Sequence, residues 1–458
     1  MTHIETKIQQ YMTPGRRVHL SGIGGVSMCP LAEVLHGMGL TVQGSDMTDS
    51  PTVEHLRSLG IPVTVGHTAQ DIAGAEFLIR SAAIHDDNPE IAAARSQGVP
   101  VFERAEAWGA IMQHYENAVC ISGTHGKTTT TSMATHVFMA AQADPTVMIG
   151  GTLPMLHSGY RVGRGDTIIL ESCEYCNSFL HFFPTVAVVL NVEADHLDFF
   201  KDLDDVKRSF RRFAQLVPAD GHIVANADDP GAMDALRGLP LFTFALDHDA
   251  DCRAENLIWD HGMPRFDVVV DRRKYAHLTL QVSGRHNILN ALAAASAAYV
   301  LGVPGQAVEE GLAAFTGAGR RFEYKGIYRG ARIYDDYAHH PGELHALLTM
   351  SRGLGYERII CAFQPHTYTR TKALFQQFVE ELRQADQVIL AEIYAAREKN
   401  TIGISSADLA REVPGSLYCP TLEDVTAALE KLARPGDLIL TVGAGNIYTA
   451  GEALAKRG

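Results

Sequence analysis

The chain has 458 residues, is 46% hydrophobic and 20% charged, and carries a net charge of −14. The length leads to about two to four domains, with three the central expectation, and the composition is that of an ordinary globular enzyme. The acidic balance, with Lys and Arg scattered in short groups such as Lys207-Arg208, argues against a nucleic-acid surface, and no apolar run approaches the roughly 20 residues that span a bilayer.

The N-terminal stretch "MTHIETKIQQYMTPGRR" is polar and has no apolar h-region, so a cytoplasmic address is expected. Strand and helix signals then alternate. "RRVHLSG" reads as a strand, "MCPLAEVLHGMG" as a helix and "LTVQGSD" as the next strand; the alternation continues to about residue 110. Such alternation implies parallel pairing and an α/β domain over residues 1–110. Within it, "SGIGGVSM" places Gly22, Gly24 and Gly25 after a strand, and Asp46 ends the following strand. This is a partial dinucleotide fingerprint, because Ser27 stands at the third glycine position. Alone it points to NAD; beside a separate ATP loop it reads as a pocket for another nucleotide diphosphate.

The second unit, residues 111–319, opens with the strand "NAVCISG" and the loop Gly123-Thr124-His125-Gly126-Lys127-Thr128, followed by Thr129, Thr130 and Thr131. A standard phosphate loop has a glycine where Ile121 stands, yet the setting, strand before and helix after, is the one such a loop requires. Lys127 would reach the outer phosphates and Thr128 could hold Mg²⁺. β-branched residues are mediocre helix formers, so four threonines at a helix start suggest that hydroxyls are wanted there. "DTIILE" ends in Glu171, and "TVAVVLN" is followed by Glu193, Asp195, His196 and Asp198. Ligand sites of open α/β sheets lie at such strand ends, making Thr128, Glu171 and His196 a candidate Mg²⁺ set. The chain has seven cysteines; Cys173 and Cys176 form one C-x-x-C without the second matched pair that a zinc site would want, so two reduced thiols are expected. The alanine-rich run "NALAAASAAYVLG" is apolar all round and reads as a buried helix. The third unit, residues 320–458, alternates again through "ARIYDDYA", "ERIICAF", "DQVILAEI" and "DLILTVGAG", with "TKALFQQFVEELRQ" among its helices.

Taken together, "GIGG", "GTHGKTTTT", "IILE", "NVEADHLD", "GRHNILNALAA", "GAGRRFE", "DDYAHHP" and "FQPHTYTRT" resemble the Mur ligase family over essentially the whole chain, and within it the alanine-adding branch. The resemblance implies an α/β fold of three domains: an N-terminal Rossmann-like UDP-binding domain, a central P-loop ATPase-like domain and a C-terminal Rossmann-like domain. It implies a ligase that uses ATP and Mg²⁺, two ions, to join L-alanine to the carboxylate of UDP-N-acetylmuramate through an acyl phosphate. No nucleic acid or membrane partner is expected, and the chain would be a monomer or weak homodimer.

By the same resemblance, the loop from Gly123 to Thr129 handles the ATP phosphates, and Glu171 and His196 are metal ligands with Thr128. His286, Asn287 and Asn290 belong to the adenine side, Arg321 comes from the moving domain, and Asp335 or Asp336 meets the ribose. Tyr337, His339, His366 and Arg370 form the amino-acid and γ-phosphate end; a bidentate guanidinium suits a carboxylate or phosphate there. Gly22, Gly24, Gly25, Asp46, His67 and Ser81 hold the UDP moiety.

Three departures stand out. Arg211 occupies the place, about fifteen after the metal histidine, where related ligases carry a carbamylated lysine. Thr367 replaces an arginine found in many members, and "ESCEYCNSF" replaces a more acidic form, leaving the role of Glu174 open. The His339-His340 pair before Pro341 could also simply cap a helix. A recycling ligase adding a tripeptide, an NAD-dependent oxidoreductase and an inactive nucleotide-binding regulator are the competing readings; Tyr337 favours single-alanine addition over the first.

Overall fold

The computed structural model describes residues 7–458 except 82, 198, 261 and 397, so Asp198 lies outside the described residues. Its strands form three sheets. The first holds β1 (Arg17–Ser21), β2 (Thr41–Asp46), β3 (Val63–Val65), β4 (Phe77–Arg80) and β5 (Val101–Glu103) in the order β3-β2-β1-β4-β5. All four pairings are parallel. A parallel sheet needs helices on its faces, and the strands are correspondingly apolar. Two of the covering helices start on a side-chain cap followed by proline, Ser50 before Pro51 and Asn88 before Pro89. Both satisfy orphan amides at the first turn.

The second sheet has ten strands. They are β6 (Asn117–Ser122), β7 (Thr146–Leu153), β8 (Ser158–Arg161), β9 (Thr167–Glu171), β10 (Val186–Val189), β11 (His222–Asn226), β12 (Phe242–Ala245), β13 (Cys252–Asp260), β14 (Met263–Val270) and β15 (Arg273–Thr279). Their order is β15-β14-β13-β12-β11-β10-β6-β9-β7-β8. The centre is parallel, and β13–β15 add an antiparallel meander at one edge. Helices Lys127–Ala140 and Arg285–Val300 share a core with one face of this sheet, and the alanine run at 291–298 is buried as its composition predicts. On the other face, Phe179, Phe210 and Phe213 belong to a core continuous with Trp108 and Ile111, which fastens the first sheet's domain to the second.

The third sheet holds β16 (Glu323–Tyr328), β17 (Ala331–Asp336), β18 (Arg358–Phe363), β19 (Gln387–Ala391), β20 (Leu417–Cys419) and β21 (Asp437–Val442) in the order β16-β17-β21-β18-β19-β20. Only β16 pairs antiparallel. The run "TKALFQQFVEELRQ" is not one helix. The chain leaves helical geometry at Leu374, between helices Tyr368–Ala373 and Phe375–Leu382. Among the described residues, no helix is long and apolar enough to cross a membrane.

Candidate active site

The phosphate loop begins where β6 ends, at Ser122, and its helix starts at Lys127. Gly126 has φ +84°, and a Cβ there would lie 2.7 Å from Asn290 Oδ1. Glycine is therefore required both by backbone conformation and by the asparagine packed against the loop. The first amides of a helix have no intrahelical acceptor, so those at Lys127–Thr129 are available to an anion, aided by the helix dipole. The Lys127 ammonium donates to the carbonyls of Gly123 and Thr124 and to Glu174 Oε2 at 3.0 Å. Burial alone would lower its pKa; the negative charge of Glu174 leads the effects that hold it above the ordinary lysine range.

The four threonines divide their work. The Thr128 hydroxyl donates to Glu171 Oε1 at 3.0 Å, that of Thr130 to Asn290 Oδ1, and that of Thr131 back to the Lys127 carbonyl. Among the described residues, the Thr129 hydroxyl has no hydrogen-bond partner. Glu171 also accepts the Gly150 amide at 2.6 Å, and a Cβ at Gly150 would lie 2.5 Å from this carboxylate. A hydroxyl and a carboxylate held side by side at the loop are the hard oxygen donors that suit Mg²⁺.

His196 lies on the other side of Glu174. Its Nε2 is 3.9 Å from Glu174 Oε1 and 3.8 Å from Asp195 Oδ2, and its ring rests on Tyr175. Thr128 and Glu171 are thus brought together, whereas His196 approaches them through Glu174, which is 2% exposed and faces Lys127 as well. Motif spacing left this bridging role of Glu174 open. Burial pushes the Cys173 thiol up to about 12, and the Cys176 side of the C-x-x-C is exposed, consistent with two reduced thiols. Arg211 donates to the carbonyls of Ala235 and Arg237, away from Glu171 and His196.

The third sheet's domain meets this site through Arg370, whose Nη2 and Nε reach Asp195 Oδ1 at 2.9 and 3.2 Å. Asp195 is mostly buried; despite the cost of burial, Arg370 and then His196 hold its carboxyl well below the usual range. Arg370 Nη1 lies 3.1 Å from His366 Nδ1, His366 packs edge-on to His339, and His339 to Tyr337. Burial lowers both His339 and His366 to about 4, leaving neutral imidazoles. The guanidinium groups of Arg320 and Arg321 lie 4.9 and 5.2 Å from the Tyr337 ring centre. Thr367 sits at φ +67°, an uncommon conformation for a β-branched residue.

A second link joins His125 of the phosphate loop to Glu343 in helix Pro341–Arg352, Nδ1 to Oε1 at 3.3 Å. His125 also lies 3.4 Å from Glu193. Burial opposes protonation of His125, but these two carboxylates outweigh it and raise its pKa to about 10. His340 does cap its helix, through Nδ1 to the Gly342 amide at 3.3 Å. The capping alternative therefore applies to one histidine of the pair.

Asp335 and Asp336 do not present free carboxylates for a ribose. Asp335 is fully buried, paired with Arg320 at 2.9 Å and with the Thr441 hydroxyl. Asp336 accepts the amides of Phe322 and Ala338, and burial raises it to about 6. They anchor the entry into the third sheet, because β17 must emerge beside the linker at Arg320. On the adenine side, Asn290 Nδ2 donates to Asn287 Oδ1, and His286 is exposed beside them.

In the first sheet's domain, the Gly22 and Ile23 amides donate to the Ser45 carbonyl, that of Gly25 to Gly22, and that of Gly24 to Asp46 Oδ2 at 2.9 Å. All four are spent within the protein, so the glycines shape a turn and do not themselves offer donors to an anion. His67 Nδ1 is held by Ser45 at 2.9 Å and by buried Glu90 at 3.1 Å. The Ser81 amide donates to the Ser21 carbonyl. A cavity of about 720 Å³ opens between this domain and the second, lined by Arg80, His85, Arg104, Cys176, Ser178 and His181 among others. Its lining also holds Asp86, Asp87 and Glu103, with Arg80 paired to Asp86 and Glu103, and this mixed set was not legible as a motif because its residues come from distant parts of the chain.

Comparison with known families matches residues 17–116 to "Mur ligase family, catalytic domain", 121–298 to "Mur ligase middle domain" and 320–445 to "Mur ligase, glutamate ligase domain". Curated relatives include the UDP-N-acetylmuramate–L-alanine ligase of Clostridium novyi (strain NT), 43% identical over 95% of this chain and 96% of that protein. The ligase of the same name from Caldanaerobacter subterraneus subsp. tengcongensis is 43% identical over the same shares. Among solved structures, UDP-N-acetylmuramate-alanine ligase from Thermotoga maritima is similar with a TM-score of 0.80 and 27% identity, over 96% of this chain and 98% of that one. A murein peptide ligase from Psychrobacter arcticus shares the fold at 23% identity and a TM-score of 0.70, over 97% and 98%. With three successive domains matched in order along nearly its whole length, the chain belongs to the Mur ligase family.

Proposed function

We propose that this chain is an ATP-dependent ligase that joins L-alanine to the carboxylate of UDP-N-acetylmuramate in peptidoglycan precursor synthesis. The observation that carries the reading is the 43% identity, across 95% of the chain, to ligases of that name. Its domains divide the work: residues 1–110 take the UDP-sugar, 111–319 the ATP and 320–458 the amino acid. The reaction belongs in the cytoplasm, with the protein a monomer or weak homodimer and with neither nucleic acid nor membrane as partner.

The residues suit a stepwise reaction. ATP transfers its γ-phosphoryl group to the sugar-linked carboxylate, giving an acyl phosphate and ADP; the alanine amine then displaces phosphate to form the amide. Lys127 and the helix amides that follow it meet the phosphates, where positioning and electrostatics supply most of the rate of phosphoryl transfer. Mg²⁺, two ions in this reading, would be held by Thr128 and Glu171 with His196 beyond them, and would neutralise charge on the transferring group. Glu174 would keep Lys127 and His196 in register. Arg370, held through Nε and Nη2 by Asp195, would bring its positive charge and its Nη1 to the amino-acid carboxylate or the phosphate, with His366 and His339 beside it. Asn287, Asn290 and His286 border the adenine. The closed third domain excludes water that would hydrolyse the acyl phosphate.

The test is phosphate release with ATP, Mg²⁺ and UDP-N-acetylmuramate, offering Ala, Ser, Gly or the murein tripeptide. L-Alanine is expected to give the highest kcat/KM. Release with the tripeptide alone would convert the reading to a recycling ligase, and no release with any acceptor would end it.

A further inference from the structure

We infer that His125, Glu193 and His340 form a site for a zinc-class transition metal, distinct from the oxygen site at Thr128 and Glu171, which clips the third domain onto the phosphate loop. One donor atom of each residue lies within 4.8 Å of the others. His125 Nε2 and Glu193 Oε2 are 3.4 Å apart, and the His125 and His340 rings lie 4.8 Å centre to centre. A tetrahedral ion with bonds of about 2.0–2.1 Å places neighbouring donors roughly 3.3 Å apart, so the group needs only side-chain adjustment to close on a metal. His340 is 6% exposed, and its Nε2, like that of His125, is buried without a hydrogen-bond partner among the described residues.

The surroundings complete the case. Glu343 faces the other nitrogen of His125, Nδ1, at 3.3 Å. Without metal the two carboxylates hold an imidazolium at His125; an ion taking its place would displace the Nε2 proton, and a carboxylate on the far nitrogen is the arrangement that orients a metal-binding imidazole. Two imidazoles and one carboxylate with an open fourth position match zinc or cobalt better than Mg²⁺, which prefers oxygen. The negative charge of Glu193 and Glu343 favours a cation in the group. Binding through His340 Nε2 would shift its proton to Nδ1, exchanging the long cap to Gly342 for a metal bond. His125 and Glu193 come from the second sheet's loops and His340 from the third domain, so one ion would join the two.

The test adds Co²⁺ alone to metal-free, full-length protein without nucleotide. One Co²⁺ per chain is expected, with the intense visible band of four-coordinate cobalt, bleached by Zn²⁺. Glu193→Gln, which leaves the helix cap untouched, should weaken Co²⁺ binding by about tenfold or more. Glu171→Gln should retain the band. Zn²⁺ should raise the melting temperature of the wild-type chain and not that of Glu193→Gln. A weak six-coordinate spectrum, a band indifferent to Glu193→Gln, loss of the band in Glu171→Gln, or no effect of Zn²⁺ on melting would each overturn the assignment.

Discussion

Two glycine turns follow a first parallel strand in this molecule, at Gly22–Gly25 and at Gly123–Gly126; both pair backbone donors inside the protein, the second through the Thr124 and His125 amides to Asn191, and they differ in the side chains gathered around them. In the first, all four amides are paired inside the protein, and the carboxylate of Asp46 closes the turn. The second runs straight into a helix at Lys127, so its leading amides, a buried ammonium and the Thr128–Glu171 pair converge on one place. A turn whose donors are spent can shape a pocket, while other side chains supply recognition. A turn with an ammonium, a hydroxyl–carboxylate pair and a helix start beside it can meet a group whose charge changes during reaction. Glycine spacing alone does not separate the two, and a helix follows each, Cys29–Gly37 and Lys127–Ala140; the side chains around the turn do.

The largest expected effect tests that division directly. Lys127→Ala should lower kcat by at least about 100-fold, because it removes a fixed positive charge from the transferring phosphoryl group. Binding of UDP-N-acetylmuramate, followed by calorimetry, should be unchanged; loss of both would show that the two turns serve one site. Next comes Asp46→Ala, which frees the Gly24 amide and loosens the first turn. It should raise KM for the UDP-sugar roughly tenfold, in keeping with loss of a charged hydrogen bond, while KM for ATP stays as it was. Equal shifts in both constants would break the comparison.

The smallest effect concerns pH. Burial lowers His339 and His366 from an ordinary 6.5 to about 4. Between those values the unfolded chain binds protons that the folded chain refuses, so the stability contributed by these groups is lost as pH falls from about 6.5 to about 4. Denaturant melts of His366→Gln should show a shallower loss over that window than the wild type. An identical slope would mean that His366 is not held neutral.

Much of the architecture could be read from periodicity. Alternating apolar runs and helical stretches specify parallel pairing locally, and the "GTHGKT" loop announces itself because phosphate binding demands particular residue types within a few positions. The antiparallel strand β13 was harder: its residues 255–260 mix charged and apolar side chains at an exposed edge, which gives no clean alternation. The break at Leu374 was invisible for a related reason, since nothing in a run of good helix formers forbids continuing.

The phosphate loop and the acid at the end of β9 stand out in the sequence as local patterns, whereas the histidines and arginine of the third domain were expected only from the resemblance to the family. Tertiary structure decided their partners. It selected Thr128 among four threonines to face Glu171, set Glu174 between Lys127 and His196, and turned Asp335 inward to Arg320. It also gathered His125, Glu193 and His340 from three separate segments. Distances between side chains far apart in the chain depend on how three sheets pack, and neither periodicity nor motif spacing encodes that packing.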